Sequence, residues 1–550
     1  MTFSVAMFTG TSAFHRLRCG VLGLALLGPA WGAQAADFVY TVQPGDHPWN
    51  LAERYLKTPS LALALRQRNH IADDLHIAPG TRLRIPQEWL KLESTQVLLL
   101  AVAGQTTLRR GNGPARAAVA GELLHAPSDL RTGPDGSATL QFADGSRVLV
   151  RRDSELQLQS SQKALLGQAS MVNLSLLQGS VENLVTPMGQ SGGRFEIRTP
   201  AAIAAVRGTQ YRVVTDGQTM RTEVLTGAVQ VANATGQVTA LAEQGTVAQS
   251  GQRPVAPVAL LPTPSLEGLP ATIERLPIAW PIPPLAGAIR YRTQLAATAE
   301  FSAMLSDEAT DAARIRVRDI DDGTYALRVR GIDAQGLEGL SAERTLVIHT
   351  QPEPPLLIDP APEAATTAAR PSLRWTQGDG RLHYRVQLSV DGQAVDEQVV
   401  TSASTQPPLD LPPGMYQWRV AAIHPTQGQG PWGDTQPFRR VLPGPGVETP
   451  QPRDGSLTLR WTAQPQTARY HLQVARDASF TSTLADADTE TSQFSLQDLQ
   501  PGTHHVRVQA TGIDGYTGPW GSTQSFVVPA PPPSHWGALI LLLIPAMAIF

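Results

Sequence analysis

From about residue 97 to 258, apolar residues recur at every second position, a period that predicts strands. The run "ATLQF" passes through an Ala-Asp-Gly turn into "SRVLVRR", which reads as a hairpin with Phe142, Val148 and Val150 on alternating positions. In "ELQLQ", Leu156 and Leu158 alternate inward. "MVNLSLLQGSVEN", "RFEIRT", "TEVLTGAVQVAN" and "LAEQGTVAQ" continue the pattern. Turn signals separate these runs throughout, so the segment is expected to form an all-β roll or sandwich.

The period changes upstream. Val39 to Val42 alternates as a short strand, and Pro44-Gly45-Asp46 makes a turn. In "PWNLAERYL", Trp49, Leu51 or Ala52, and Leu56 recur at helical spacing, with Asp46 available as N-cap. "SLALALRQRN" reads as a second helix opened by Ser60. "PGTRLRIP" closes the unit with a turn and a strand in which Leu83 and Ile85 alternate with Arg82 and Arg84. The expectation is a small βααβ module over residues 38–90.

After residue 265 the chain repeats itself. "GTYALRVRGIDAQGLEGLSAERTLVI" from Gly323, "GMYQWRVAAIHPTQGQGPWGDTQPFRRV" from Gly414 and "GTHHVRVQATGIDGYTGPWGSTQSFVV" from Gly502 share one pattern. Upstream of each stands a Trp and then a Tyr-led strand: Trp280 and Tyr291, Trp375 and Tyr384, Trp461 and Tyr470. Repeats of about ninety residues with a buried early Trp and alternating strands fit immunoglobulin-like sandwiches. They are expected over 265–350, 355–442 and 449–529. The Pro-Trp-Gly at 431–433 and 519–521 is replaced in the first repeat by Leu-Glu-Gly.

Composition narrows the function. A chain of 550 residues suggests three to five domains, and 47 Gly with 45 Pro favour strands and turns over helical bundles. The net charge of −3 and the absence of any basic run longer than two residues set nucleic acid aside as a partner. His15, Arg16 and Arg18, an apolar run and "GAQAADF" make residues 1–36 a secretory signal, cut after Ala35 or Ala36. Cys19 lies before that run, so the exported chain has no cysteine for disulfides, metal ligation or thiol chemistry. Residues 536–550, "WGALILLLIPAMAIF", are apolar and uncharged but short for a bilayer. They read as a C-terminal membrane anchor, with a trimmed sorting tail as the competing reading.

The residues of the βααβ module resemble the LysM family: "YTVQPGD", Trp49, Asn69 and "PGTRLRIP" follow its pattern. That resemblance implies binding of peptidoglycan or another N-acetylglucosamine polymer between two loops. The residues it marks are Gly45, Asp46 and His47 in the first loop and His76, Ile77 and Ala78 in the second. His47-Pro48 departs from the Thr/Ser-Leu usual there, and one copy is present where many LysM proteins use several for avidity.

The stretch "RTPAAIAAVRGTQYRVV" (198–214) is alanine-rich, and its alanine run reads as helix by propensity alone. Pro200, Gly208 and the following alternation argue instead for close-packed β structure. With "RFEIR" and "TEVLTGAVQV" it resembles the core motif of the FecR domain family, best known from periplasmic parts of iron-transport regulators. Thr199, Pro200, Arg207, Gly208 and Thr209 are read as structural members of that motif, Arg207 as a guanidinium bonding carbonyls across the roll. Those regulators carry a cytoplasmic sigma-handling segment where this chain has an export signal, so the resemblance implies periplasmic sensing or scaffolding. The repeats resemble fibronectin type III domains.

"GQSGG" (189–193) matches a hydrolase pattern but lies between two β segments, where the required strand-to-helix turn has no place. No nucleophile–base pair, metal cluster or phosphate loop stands out, so no catalysis, cofactor or metal is expected. The fold class is mainly β and multidomain. The expected function is a non-catalytic envelope protein, in the periplasm or cell envelope of a Gram-negative bacterium. It would bind peptidoglycan and present a FecR-like domain on a fibronectin-like stalk. A periplasmic sensor acting on an envelope protein partner and a cell-wall hydrolase are the alternatives.

Overall fold

The strand-rich expectation is met along the chain in a computed structural model that describes residues 37–530, except 74, 168, 188–192, 207, 319 and 452–455. The signal segment 1–36 and the apolar tail 536–550 lie outside the described residues. Among those described, no helix is long and apolar enough to cross a membrane. The chain divides into two compact units. One takes in the described residues up to 269 with 280–316 and 325–344; the other takes 270–279, 317–324 and 345 onward.

The first unit opens with the βααβ module: β1 (Phe38–Thr41), α1 (Pro48–Tyr55), α2 (Leu61–Arg68) and β2 (Arg82–Ile85). β1 and β2 pair antiparallel, Phe38 opposite Ile85 and Thr41 opposite Arg82. The N-cap of α1 is His47, not Asp46. Its ring accepts from the Asn50 amide while the Asn50 side chain accepts from the His47 amide, and Pro48 fills the first helical position, where no donor is needed. Leu51, Ala52 and Leu56 are buried, but Trp49 is 43% exposed, so the buried stripe is narrower than its spacing suggested. Ser60 occupies the N-cap of α2 without capping it; its hydroxyl bonds Thr58 instead. Asn69 ties α2 to β2, donating to Leu65 O and Arg84 O and accepting from Arg84 N.

Strands from Leu92–Ser94 to Val258–Ala259 then close into a barrel, which removes the open edges a sheet would otherwise expose. One long strand, Ser170–Leu184, serves both halves of it. Its first part pairs with Glu155–Ala164 and runs parallel to Arg194–Arg198; its last part pairs with Arg147–Val150 and Gln210–Thr215. Gly179 marks the change, because a Cβ there would meet the Ser154 backbone at 2.5 Å. Phe142, Val148, Val150, Leu156 and Leu158 are all buried in the barrel core, where Phe142 meets Phe195 edge-on at 5.5 Å.

The alanine run is a turn followed by a strand. Arg194–Arg198 and Ile203–Val206 form a hairpin, and the Thr199 hydroxyl closes its turn by accepting from Ala201 and Ala202 and donating to Ala202 O. Pro200 sits inside that turn, where its missing donor is not needed. Ala204 faces the core at zero exposure as Ile203–Val206 pairs on its other side with Ala228–Asn233. The chain then changes sheets. Gly208, at φ +75°, passes the Pro187 backbone so closely that a Cβ would lie 2.4 Å from its Cα. Thr209 is buried and donates to Ala228 O. Arg207 lies outside the described residues, as do four of the five residues of the "GQSGG" segment.

The barrel and the βααβ module share a core. The barrel hairpin contributes Ala164, Leu166 and Ala169 to the cluster of Leu51, Leu65 and Leu83, and Gly167 leaves space for the Phe38 ring. From the first repeat, strand Arg290–Ala296 pairs with Met304–Thr310 on one side and with residues 326–332 on the other. Its Trp280 is half-exposed rather than buried; Ile278 and Ile282 are buried in its place.

In the second unit, the second repeat packs Leu357–Asp359, Leu373–Trp375 and Ser404–Thr405 opposite a larger sheet containing His383–Val390 and Gly414–His424. The third sets Leu457–Arg460 and Gln493–Leu496 against Thr483–Thr489, Thr467–Ala475, Gly502–Gly512 and Gln524–Val528. Trp375 and Trp461 are buried and meet Tyr384 and Tyr470 edge-on at 5.5 Å in both. One bond recurs in all three repeats: the tyrosine hydroxyl accepts from the amide six residues upstream. The pairs are Leu285–Tyr291, Gly378–Tyr384 and Gln464–Tyr470, at 2.6, 2.8 and 2.9 Å.

Candidate functional site

Two features of the first unit stand out from ordinary packing: the loop end of the βααβ module, and a buried set of charges on the outside of the barrel. At the loop end, Gly80 donates to Val42 O and Thr81 donates to Ala78 O, which tethers the second loop beside the start of the first. Gly45 adopts φ +85° and its carbonyl accepts from the Asn50 side chain. The Asp46 carboxylate is buried and committed, accepting from the Tyr40 hydroxyl at 2.5 Å and from Gln43 N at 2.7 Å. Burial and that bond together push the Tyr40 hydroxyl well above its ordinary pKa.

His47 is half-buried and holds α1. His76 is exposed and bonds Asp73 at 3.2 Å, Ala78 is exposed, and Ile77 packs partly on the module core. Gly45, His76 and Ala78 are therefore exposed and His47 and Ile77 half-buried, whereas Asp46 is buried and shapes the first loop from within. Leu75, 70% exposed in the second loop, is a further apolar surface there that the sequence pattern did not single out.

The second feature was not legible from spacing. The outer barrel face presents Arg151, Glu182, Arg212 and Glu223, and the first repeat meets them with Arg292, Asp307, Arg330 and Glu338. Arg151 bonds Asp307 at 2.9 Å and Glu338 at 3.1 Å. Arg330 bonds Glu182 at 2.8 and 3.0 Å and Glu338 at 2.8 Å. Arg292 reaches Asp307 at 2.6 Å. Arg212 donates to the Glu338 and Gly339 carbonyls at 2.5 and 2.9 Å and meets Glu223 at 3.4 Å.

Isolated buried charges are costly, so each must be matched. Burial drives the Glu182 carboxyl upward, but Arg330, Arg328 and Arg151 outweigh it and hold it well below the carboxylate range. Burial likewise opposes ionisation of Glu338, and Arg151, Arg292 and Arg330 overcome it. Glu223 goes the other way. Burial, only partly offset by Arg212 and reinforced by the charge of Glu338, pushes it up to about 7.

Residues 40–86 match the LysM domain family model, and residues 128–230 match the model described as FecR protein. The chain carries a LysM domain and a FecR domain. A search of curated proteins finds no match. Among solved structures, a proposed anti-sigma factor from Parabacteroides distasonis ATCC 8503 is similar at 15% identity, with a TM-score of 0.20. The match covers 24% of this chain and 59% of that one, so this chain spans less than two thirds of its length. The fibronectin type III segment of chicken tenascin aligns over 32% of this chain and 99% of its own, at 18% identity and a TM-score of 0.24. The chicken CNTN1 FN1–FN3 domains align over 49% and 100%, at 15% identity and 0.18.

The LysM domain brings its two marked loops to one end of the module. The FecR domain places Thr199, Pro200, Gly208 and Thr209 along one hairpin and its exit, as backbone geometry rather than as a site. The ionic cluster lies on the outer face of the same FecR domain. Its only trace in the sequence is Glu338, which stands where the other repeats have tryptophan. LysM domains bind peptidoglycan or other N-acetylglucosamine polymers, and LysM and FecR domains are typical of envelope proteins.

Proposed function

We propose that this chain is a non-catalytic, exported envelope protein. It binds peptidoglycan through Gly45, His47, His76, Ile77 and Ala78 of the LysM loops and presents the FecR domain beside the wall. Asp46 belongs to the site as the residue that sets the first loop. The single observation that carries this reading is the open loop end of a module whose opposite side is anchored to the barrel through a shared core. A module held in this way transmits a grip on the wall to the FecR domain. The proposed division of the chain is LysM over 38–90, FecR over 97–258, and fibronectin-like repeats over 265–350, 355–442 and 449–529.

Sedimentation with insoluble peptidoglycan tests it. Because the LysM core is shared, a deletion would expose the barrel hairpin; the informative variant is Ala78→Trp, which fills the exposed loop face. The wild-type chain should pellet with the wall material and the variant should stay in solution with an unchanged melting curve. Equal pelleting of both would remove the LysM loops from the function. Signalling to an envelope partner is a second reading, supported by the FecR match at 128–230. It predicts an altered transcript profile when the chain is lost, restored by the Ala78→Trp variant if signalling does not need the wall.

A further inference from the structure

The three repeats build the same polar triad on one face of their sheets. The residue after the strand tyrosine is basic (Arg292, Arg385, His471), and the third after the tyrosine is glutamine (Gln294, Gln387, Gln473). Each glutamine lies opposite a carboxylate on the strand that ends its sheet: Asp307 in Met304–Thr310, Glu397 in Gln393–Val400 and Asp486 in Thr483–Thr489. The glutamine amide donates to that carboxylate in every repeat, at 3.0, 2.8 and 2.9 Å. The basic residue holds it as well, Arg292 at 2.6 Å, Arg385 at 2.8 Å and His471 at 3.0 Å.

Only the first repeat completes the triad from outside. The fork of Arg151 in the barrel grips both oxygens of Asp307, Nε to Oδ2 at 2.9 Å and Nη2 to Oδ1 at 3.2 Å, and Arg152 donates to Asp307 O at 2.9 Å. The barrel also takes backbone groups at the start of that edge, with Ser137 accepting from Met304 N and Thr139 donating to Ser302 O. The Asp307 side chain is left 4% exposed. Among the described residues, neither Glu397 nor Asp486 receives an arginine from outside its repeat, and their side chains are 36% and 50% exposed. A tryptophan adjoins each of them: Arg419 donates to Gln387 and stacks on Trp432, and Arg507 donates to Gln473 and stacks on Trp520.

We propose that the sheet edges Gln393–Val400 and Thr483–Thr489 are docking sites for a partner protein whose strand bears two consecutive arginines. The partner seats on Glu397 and Asp486 as Arg151-Arg152 seats on Asp307. Arginine is required rather than lysine, because its planar fork meets both carboxylate oxygens at once. The strand that carries each carboxylate ends its sheet, so its outer backbone groups are open to the same partner.

Titration calorimetry on the full chain tests this with the synthetic peptide Val-Leu-Val-Arg-Arg-Asp, the sequence of residues 148–153. Saturable binding at two sites is expected. The Gln-Gln form of the peptide should not bind, and the Lys-Lys form should bind about ten-fold or more weakly. Glu397→Gln and Asp486→Asn should each remove one site with the melting curve unchanged, since exposed ion pairs contribute little to stability. Absence of saturation, equal binding of the Lys-Lys form, or a double variant that binds as wild type would each overturn the proposal. Sedimentation velocity covers the other occupant. Self-association of the wild-type chain that the double variant abolishes would put a second copy of the chain on these edges and overturn the assignment to a separate partner.

Discussion

Arg330 grips Glu182 through both carboxylate oxygens, Nη1 to Oε1 at 2.8 Å and Nη2 to Oε2 at 3.0 Å, and so joins the first repeat to the FecR barrel. The same face is built differently in the other repeats. There an arginine five residues after the strand glycine stacks on the motif tryptophan, Arg419 over Trp432 at 4.5 Å and Arg507 over Trp520 at 4.4 Å. The first repeat keeps that arginine as Arg328, stacked on Phe301 at 3.6 Å, but replaces the tryptophan with Glu338. Glu338 turns to Arg151 of the barrel and to Arg330. An aromatic cap has become half of an ionic interface.

Breaking that grip should cost far more than a surface ion pair. Arg330→Met leaves Glu182 and Glu338 buried with fewer cations, and should destabilise the first unit by about 3–5 kcal/mol. Adding Glu182→Leu should recover much of the loss, because the uncompensated charge goes with it. Urea denaturation of the three chains checks this; an Arg330→Met midpoint at the wild-type value would show that the pair contributes nothing.

The cluster also sets a pH profile. Glu223 has a folded pKa near 7 against an ordinary 4.5, so its contribution is fully present below the ordinary value and lost as pH rises through about 7. Glu182, Glu338 and Asp307 are lowered, so theirs is present above the carboxylate range and lost as pH falls through it. The melting temperature should peak in mildly acidic buffer and decline toward pH 8. Glu223→Gln should flatten the alkaline limb only, and melting curves across pH on both chains read this directly.

Restoring the repeat consensus should do harm. Glu338→Trp recreates the residue of the second and third repeats, but it removes a carboxylate from Arg151 and Arg330 and inserts bulk into a buried site. The expected loss is about 3 kcal/mol or more. An unchanged or higher denaturation midpoint would mean that the first repeat does not use this face against the barrel.

Gly208 and Gly251 separate backbone strain from steric clash. Both adopt φ near +75°, but a Cβ at Gly251 meets nothing within 4 Å whereas one at Gly208 meets the Pro187 backbone at 2.4 Å. Gly251→Ala should cost about 1 kcal/mol, the price of the left-handed conformation alone. Gly208→Ala should cost about 3 kcal/mol or more as backbone is forced to move. Thermal unfolding of the two variants gives the comparison; similar losses would place the cost in φ and not in the sheet crossing.

Fibronectin-like repeat glycines show the same logic between motif and linker. A Cβ at Gly521 would lie 2.0 Å from Pro445 O, and one at Gly339 would lie 2.6 Å from Leu261 O, so neither has room for a side chain. Each motif glycine thus seats the linker that enters its own repeat. That explains why the glycine persists in Leu-Glu-Gly when its neighbours differ. The motif tryptophans Trp432 and Trp520 are themselves half-buried beneath arginines.

The sequence by itself determined the strands, the two short helices, the repeats and the two loops of the LysM module. Each of these depends on neighbours in the chain: a period of two or 3.6, a turn residue, or a motif within a few positions. It also settled that the alanines of "RTPAAIAAVRGTQYRVV" are not helical, because Pro200 and Gly208 bound them too closely. What the tertiary structure decided alone was partnership at long range. Asp46 left the list of exposed loop groups because Tyr40 and Gln43 fold back to bind it. Arg151 and Glu338 are 187 positions apart and carry no mutual signal. Their pairing exists only where two sheets exclude water, and there an unmatched charge is too costly to leave without a partner.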